Sequence, residues 1–273
     1  MTSLRFRIDS DIARQASLAA RIARGQSDVS SQKRLQAASD DPAAAVRIAQ
    51  LRRAQTNEAA WRANVDNGIA RATRADSALT GVASLIDRAR ELAINGASET
   101  LSNADRATIA LELRSIADEV DNLSQGIDAT GQPLFSDAPL RLPVGDSLTL
   151  TATTSRSAAF DIGARDMATI LRDVASAITT STAGRAAALV DIAAVSDHIS
   201  TVRGDQGARA ARFDALRDRL IDSATAIGEE RSSIEDTDLV ATIARIQTDQ
   251  LLLDAAQSLF ARINRRTLFD LLG

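Results

Sequence analysis

Residues 65–93 read VDNGIARATRADSALTGVASLIDRARELA, and their spacing decides the fold. Val65, Ile69, Ala72, Ala75, Leu79, Val82, Ile86, Ala89 and Ala93 recur at intervals of three and four, with polar and charged residues between them. Such a stripe occupies one face of an α-helix, and a heptad rhythm sustained this long requires a partner helix along its length. No proline falls between Pro42 and Pro133. One helix from Val46 to about Asn95 is therefore predicted, roughly 75 Å long for about fifty residues at the helical rise.

Working outward, the segment Gln36-Ala37-Ala38-Ser39-Asp40-Asp41-Pro42 reads as a turn. Its Asp or Ser can cap the long helix, whose first turn accepts a proline. Upstream, Ile8, Ile12, Gln15, Ala19, Ile22, Gln26 and Val29 fall at alternating intervals of four and three, predicting a helix over Phe6 to Val29 with a seam weakened by two glutamines. Downstream, Asn95-Gly96 reads as a helix stop and Ser102 as a cap. The next helix carries Ile109, Leu113, Ile116, Val120 and Leu123.

From Gly126 to Gly163 three prolines, several glycines and the alternating run Ser147 to Thr153 signal turns and a short strand or hairpin. This insertion is too small to stand as a domain, and deleting Pro139 to Phe160 is expected to spare assembly. A short helix over Asp166 to Ile178 follows. The apolar rhythm then resumes in Leu189, Ile192, Val195, Ile199 and Val202 and continues in Phe213, Leu216, Leu220 and Ile227. Gly204-Asp205-Gln206-Gly207 lies inside that pattern and reads as a kink or a close-packing point. The last helix, Thr237 to Leu268, presents Leu239, Ile243, Ile246, Gln250, Leu253, Gln257, Phe260 and Asn264.

Both terminal helices are thus incomplete amphipaths, suited to each other or to neighbouring copies. The candidate assembly interface comprises Ile8, Ile12, Ile22 and Val29 at one end. At the other it comprises Leu239, Ile243, Ile246, Leu253, Phe260, Leu268 and Leu271. Ser39, Asp40, Asp41 and Pro42 are the candidate connecting turn.

Composition narrows the function. Acidic residues number 36 against 32 basic, a net charge of −4, so nucleic acid, which demands a clustered basic surplus, is not an expected partner. Aromatics are only 3%; alanine supplies much of the apolar content and lets helices approach closely. The absence of cysteine and the single histidine exclude disulfides, thiolate or His-pair metal sites and a Cys nucleophile. His198 stands beside apolar seam positions without a nucleophile motif, and the adjacent acids Glu235 and Asp236 suit a first helical turn better than acid–base chemistry. No enzyme activity, cofactor or metal is expected. The first residues carry charges where a cleaved signal would be apolar, and no stretch is long enough to cross a membrane. Basic residues gather near both ends, Arg5, Arg7, Arg14, Arg21, Arg24, Lys33 and Arg34 at one and Arg262, Arg265 and Arg266 at the other, as solvated faces or as a surface meeting acidic neighbours.

Motifs then add a resemblance. Ser31-Gln32-Lys33-Arg34-Leu35-Gln36-Ala37-Ala38-Ser39-Asp40-Asp41-Pro42-Ala43-Ala44-Ala45 closely resembles the segment joining the first two helices of the bacterial flagellin superfamily. Its Asp-Asp-Pro-Ala-Ala-Ala is most like the hook-associated protein 3 branch. The resemblance continues in Asp87 to Gly96, Asp105 to Ala110, Gly131 to Asp137, Ser233 to Leu239 and the closing Thr267-Leu268-Phe269-Asp270-Leu271-Leu272.

The resemblance implies a mainly α, elongated, long-helix coiled-coil bundle with a small β-containing insertion. Residues 1–43 would form the N-terminal axial helix and connecting turn, 44–132 and 164–230 a discontinuous helical bundle, 133–163 the insertion, and 231–273 the C-terminal axial helix. It also implies an extracellular flagellar subunit joining hook to filament, exported without a cleaved signal by the flagellar type III apparatus. Its partners would be itself, neighbouring axial proteins and an export chaperone on Leu239 to Leu272. The alternatives are a short flagellin polymerising into the filament, and a cytoplasmic helical signalling protein, which the Pro-rich insertion and weak terminal seams disfavour.

Overall fold

The computed structural model describes the backbone of residues 2–128 and 130–270 and the side chains of residues 9–128 and 130–262. Its helices are α1 (Thr2–Ser31), α2 (Pro42–Gly96), α3 (Asn103–Ser124), α4 (Arg156–Phe160), α5 (Met167–Ile178), α6 (Thr182–Glu235) and α7 (Leu239–Asp270). Among the described residues, four short strands, β1 (Arg141–Pro143), β2 (Thr149–Thr151), β3 (Asp161–Ile162) and β4 (Arg165–Asp166), pair as two antiparallel hairpins. The fold is mainly α. The chain divides into a unit of residues 56–223 and a unit combining residues 1–55 with 224–273.

In the 56–223 unit the decisive stripe is the core. Val65, Ala72, Ala75, Leu79, Val82, Ile86, Ala89 and Ala93 are buried, while Ile69 is half-buried. Against the part from Ala75 to Ala93 pack Ala110, Leu113, Ile116 and Val120 of α3, and Ile170, Leu171, Val174 and Ile178 of α5. Ala188, Ile192, Val195, Ile199 and Val202 of α6 complete this cluster. Alanine occupies positions 72, 75, 89 and 93 of the stripe, leaving small side chains there, and the aliphatic residues between them fill the space at interior density. Helix starts are fixed locally: the Ser102 hydroxyl accepts the Asp105 N–H at 3.2 Å, and the Asp166 carboxylate accepts the Ala168 N–H at 3.0 Å.

The insertion is not a detachable ornament. Leu142, Val144 and Ala152, from β1 to just beyond β2, join a second cluster with Val65, Ala72, Phe213 and Leu220. Phe160, at the end of α4, is fully buried in the main cluster and meets Phe135 edge-on with ring centroids 5.2 Å apart. Deleting Pro139 to Phe160 would therefore remove part of the core of residues 56–223, whatever its effect on assembly. Turn-forming residues mark where the chain reverses, but they do not show which intervening apolar side chains are covered.

Gly204 and Gly207 also need correction: a Cβ at either would meet open space, so neither is a close-packing point. The residue between them that matters is Gln206, fully buried, whose amide donates to the carbonyls of Ala72 at 3.3 Å and Ala152 at 2.9 Å. It ties α6 to α2 and to the end of the first hairpin. Close approach occurs instead at Gly68, where a Cβ would stand 2.2 Å from the ring of Phe213. His198 is structural: Nε2 donates to the Ala159 carbonyl at 3.2 Å, holding α6 to α4.

Candidate functional site

The terminal helices belong to the unit of residues 1–55 with 224–273, where α1 packs along α7. Among the described residues of α1 the buried ones are Leu18 and Ile22, followed by Gly25, where a Cβ would stand 2.7 Å from Ile246. A glycine here lets the helices approach more closely than any side chain would allow. Thr242 and Asp249 are buried on α7, and Ile246, Leu253 and Phe260 are half-buried. Arg21 clasps Asp249 with both Nε and Nη2, neutralising the buried carboxylate that interrupts the seam.

The predicted interface residues thus fall into different places. Ile22, Ile246, Leu253 and Phe260 lie on buried or half-buried positions, and Val29 is half-buried. Ile12, Leu239 and Ile243 are exposed. The side chains of Ile8 and Leu268, and Leu271 entirely, lie outside the described residues. Leu18, Gly25, Thr242 and Asp249 escaped the sequence reading. Leu18 was findable from its interval of four to Ile22, but Thr242 and Asp249 are polar and carry no apolar signal.

Between these helices the chain crosses twice, and the crossings are clamped together. Gln32 closes α1 in the left-handed region, with φ 58°, which a non-glycine residue adopts at a cost of about 1 kcal/mol or more. The segment it redirects pairs with the entry to α7. Arg34 N–H donates to the Glu235 carbonyl at 2.9 Å and Thr237 N–H to the Gln32 carbonyl at 3.1 Å. Glu235, nearly fully buried, accepts Lys33 Nζ at 2.6 Å and Arg52 Nη2 at 2.9 Å on Oε1, with Arg231 Nε 3.6 Å from Oε2. Arg47 also reaches Glu230 at 2.6 Å.

The connecting turn is built by its two aspartates. Asp40 accepts the N–H groups of Gln36 at 3.2 Å and Ala37 at 3.0 Å and pairs with Arg24 at 2.8 Å. The Ala37 and Arg24 bonds hold its carboxyl below the usual aspartate range. Asp41 accepts the Ala44 N–H at 3.0 Å, capping α2, which begins at Pro42; Ser39 lies within the turn. Arg21, Arg24 and Lys33 are thereby committed to partners within the chain rather than held free as a basic surface.

The Lys33 hydrogen bond, with the charges of Lys33, Arg52 and Arg231, outweighs burial and lowers the Glu235 pKa from its ordinary value. A carboxylate with a depressed folded-state pKa stabilises fully above its unfolded pKa, about 4.3, and loses that contribution as pH falls through the folded value. Thermal unfolding of the full chain should therefore show a stability loss below about pH 4 that is smaller in Glu235→Gln. An identical acid dependence in the variant would show that Glu235 does not carry it.

This arrangement holds two terminal helices by structural contacts, and among the described residues no group of three metal-ligating side chains occurs. The family model for the bacterial flagellin N-terminal helical region matches residues 13–139, and that for the C-terminal helical region matches residues 189–272. The chain belongs to the bacterial flagellin family. Flagellar hook-associated protein 3 of Escherichia coli is 23% identical over 286 residues, covering 89% of this chain and 90% of that protein. The flagellin of Halalkalibacterium halodurans is 26% identical over 242 residues, covering 87% and 86%. Among solved structures, FlgL of Xanthomonas campestris superposes with a TM-score of 0.57 at 17% identity, covering 66% of this chain and 99% of that one. A flagellar hook-associated protein-3 from Legionella pneumophila gives 0.59 at 12% identity, covering 68% and 99%. The family's role is structural, and the flagellin-like fold of this member is shared with these proteins.

Proposed function

We propose that this flagellin-family protein is a structural subunit of the hook-associated protein 3 type, joining hook to filament through its terminal helices and performing no catalysis. The observation that carries this reading is the near full-length relationship to a hook-associated protein 3, together with the likeness of the fold to solved proteins of that kind. The surface supports it. While α1 and α7 cover each other with Leu18, Ile22, Ile246 and Leu253, α7 leaves Val240, Ile243, Leu251, Leu252 and Leu259 exposed. Apolar residues in this number on one helix suit burial against neighbouring subunits. The partners are other copies and adjacent axial proteins of the extracellular flagellum. Before export through the type III apparatus, a chaperone covers the same residues of α7.

A second reading, a short flagellin polymerising into the filament, is favoured by the relationship to a flagellin over a similar span. Gold-labelled antibody on intact and gene-deleted cells separates them. Label at the hook end, with bare hooks after deletion, is the expected result. Label along the filament identifies a flagellin, and label confined to the cytoplasm overturns both.

A further inference from the structure

The first hairpin and α6 enclose a cleft of about 300 Å³ whose wall carries three arginines, Arg141 from β1 and Arg209 and Arg212 from α6. Its volume is at the lower end of what small-molecule sites occupy. Two of the arginines are oriented by hydroxyls of β2: Arg141 Nη2 donates to Thr149 Oγ1 at 3.1 Å, and Arg209 Nη1 to Thr151 Oγ1 at 2.9 Å. The hydroxyls fix their direction without neutralising them. Among the described residues, none of the three forms an ion pair, although Arg21, Arg47, Arg71, Arg88, Arg165 and Arg172 all do. Arg209 Nε is in addition shielded from solvent and has no hydrogen-bond partner.

Three like charges brought together at a concave surface repel one another, and two of them, at i and i+3 on a helix, do so along α6 as well. A buried guanidinium donor left unpaired adds a further cost. Both costs are relieved by one kind of occupant, an anion with several acceptor oxygens, because the planar fork of arginine binds carboxylate and phosphate groups through paired N–H bonds. We infer that this cleft binds a small dissolved oxyanion carrying at least two negative charges, of phosphate or carboxylate type. The cleft lies in the 56–223 unit, and the inference stands apart from the assembly role of the terminal helices.

Calorimetric titration of the full-length protein with inorganic pyrophosphate, at constant ionic strength, tests it. One saturable site is expected, weakened about tenfold or more when two charge-assisted contacts are removed together in Arg141→Gln/Arg212→Gln. Both side chains belong to exposed residues, so the variant should keep its circular dichroism and melting temperature. Arg74→Gln, an arginine outside this cleft, should leave the affinity unchanged. Absence of saturable binding, equal affinity in the double variant, or an equal loss in Arg74→Gln would each overturn the site.

Discussion

Phe160→Ala should lower the melting temperature of the transition that unfolds residues 56–223 by about 10 °C, from a loss of about 3–5 kcal/mol. The residue stands in the segment whose sequence looks most like a dispensable loop, yet its ring is 1% exposed and its neighbours Ala159 and Met167 are fully covered. Truncation removes the edge-to-face contact with Phe135, itself worth about 0.5–1.5 kcal/mol. It also leaves a cavity among helix side chains that are fixed by their own packing. A scan of the full-length protein reporting a shift below about 2 °C, the size of an ordinary surface substitution, would place Phe160 outside the core.

The opposite pattern is expected for Leu251→Asp/Leu252→Asp. These side chains are 71% and 49% exposed, so folding should change by no more than about 0.5 kcal/mol for each. Assembly should fail. Burying each leucine against a neighbour contributes about 1.5–3 kcal/mol, and the aspartates would have to be desolvated in the same contact. The variant should bind neighbours about a hundredfold more weakly or worse and leave cells with hooks but no attached filaments. Normal motility with the variant present would show that this part of α7 faces solvent in the flagellum, whereas a large fall in melting temperature would show that it holds the monomer together.

What could be read from the sequence divides along a physical line. The seams of α2, α3 and the first half of α6 were legible because apolar residues occupy nearly every covered position, so a period of 3.5 to 3.6 locates the face without ambiguity. Residue type located a cap and a proline-tolerant first turn at this segment but left Ser39, Asp40 and Asp41 open as the cap, which the structure assigns to Asp41 with α2 starting at Pro42.

The α7 seam was legible in period but only partly in place. Ile246, Leu253 and Phe260 were read on it, but each is preceded by a covered Thr242, Asp249 or Ala256 rather than by Ile243, Gln250 or Gln257. A one-residue offset of this kind arises when a carboxylate is buried by virtue of a partner distant in sequence. Nothing in the local pattern of Asp249 announces Arg21 across the helix pair. The Glu235 clamp is hidden for the same reason. Its acid reads locally as a first-turn charge of the last helix, whereas it closes α6, and only the fold brings Lys33 and Arg52 to it.

In the proposed junction subunit the exposed apolar residues of α7 become buried between subunits. The chain has no cysteine, so Leu252→Cys introduces a unique thiol, and its reaction with a maleimide can be compared in purified monomer and in intact flagella. Rapid labelling of the monomer and protection by at least about tenfold after assembly are expected, as burial of the side chain at a packed interface requires. Equal labelling in both states would contradict it, because residue 252 would then remain in solvent where the proposed contact should cover it.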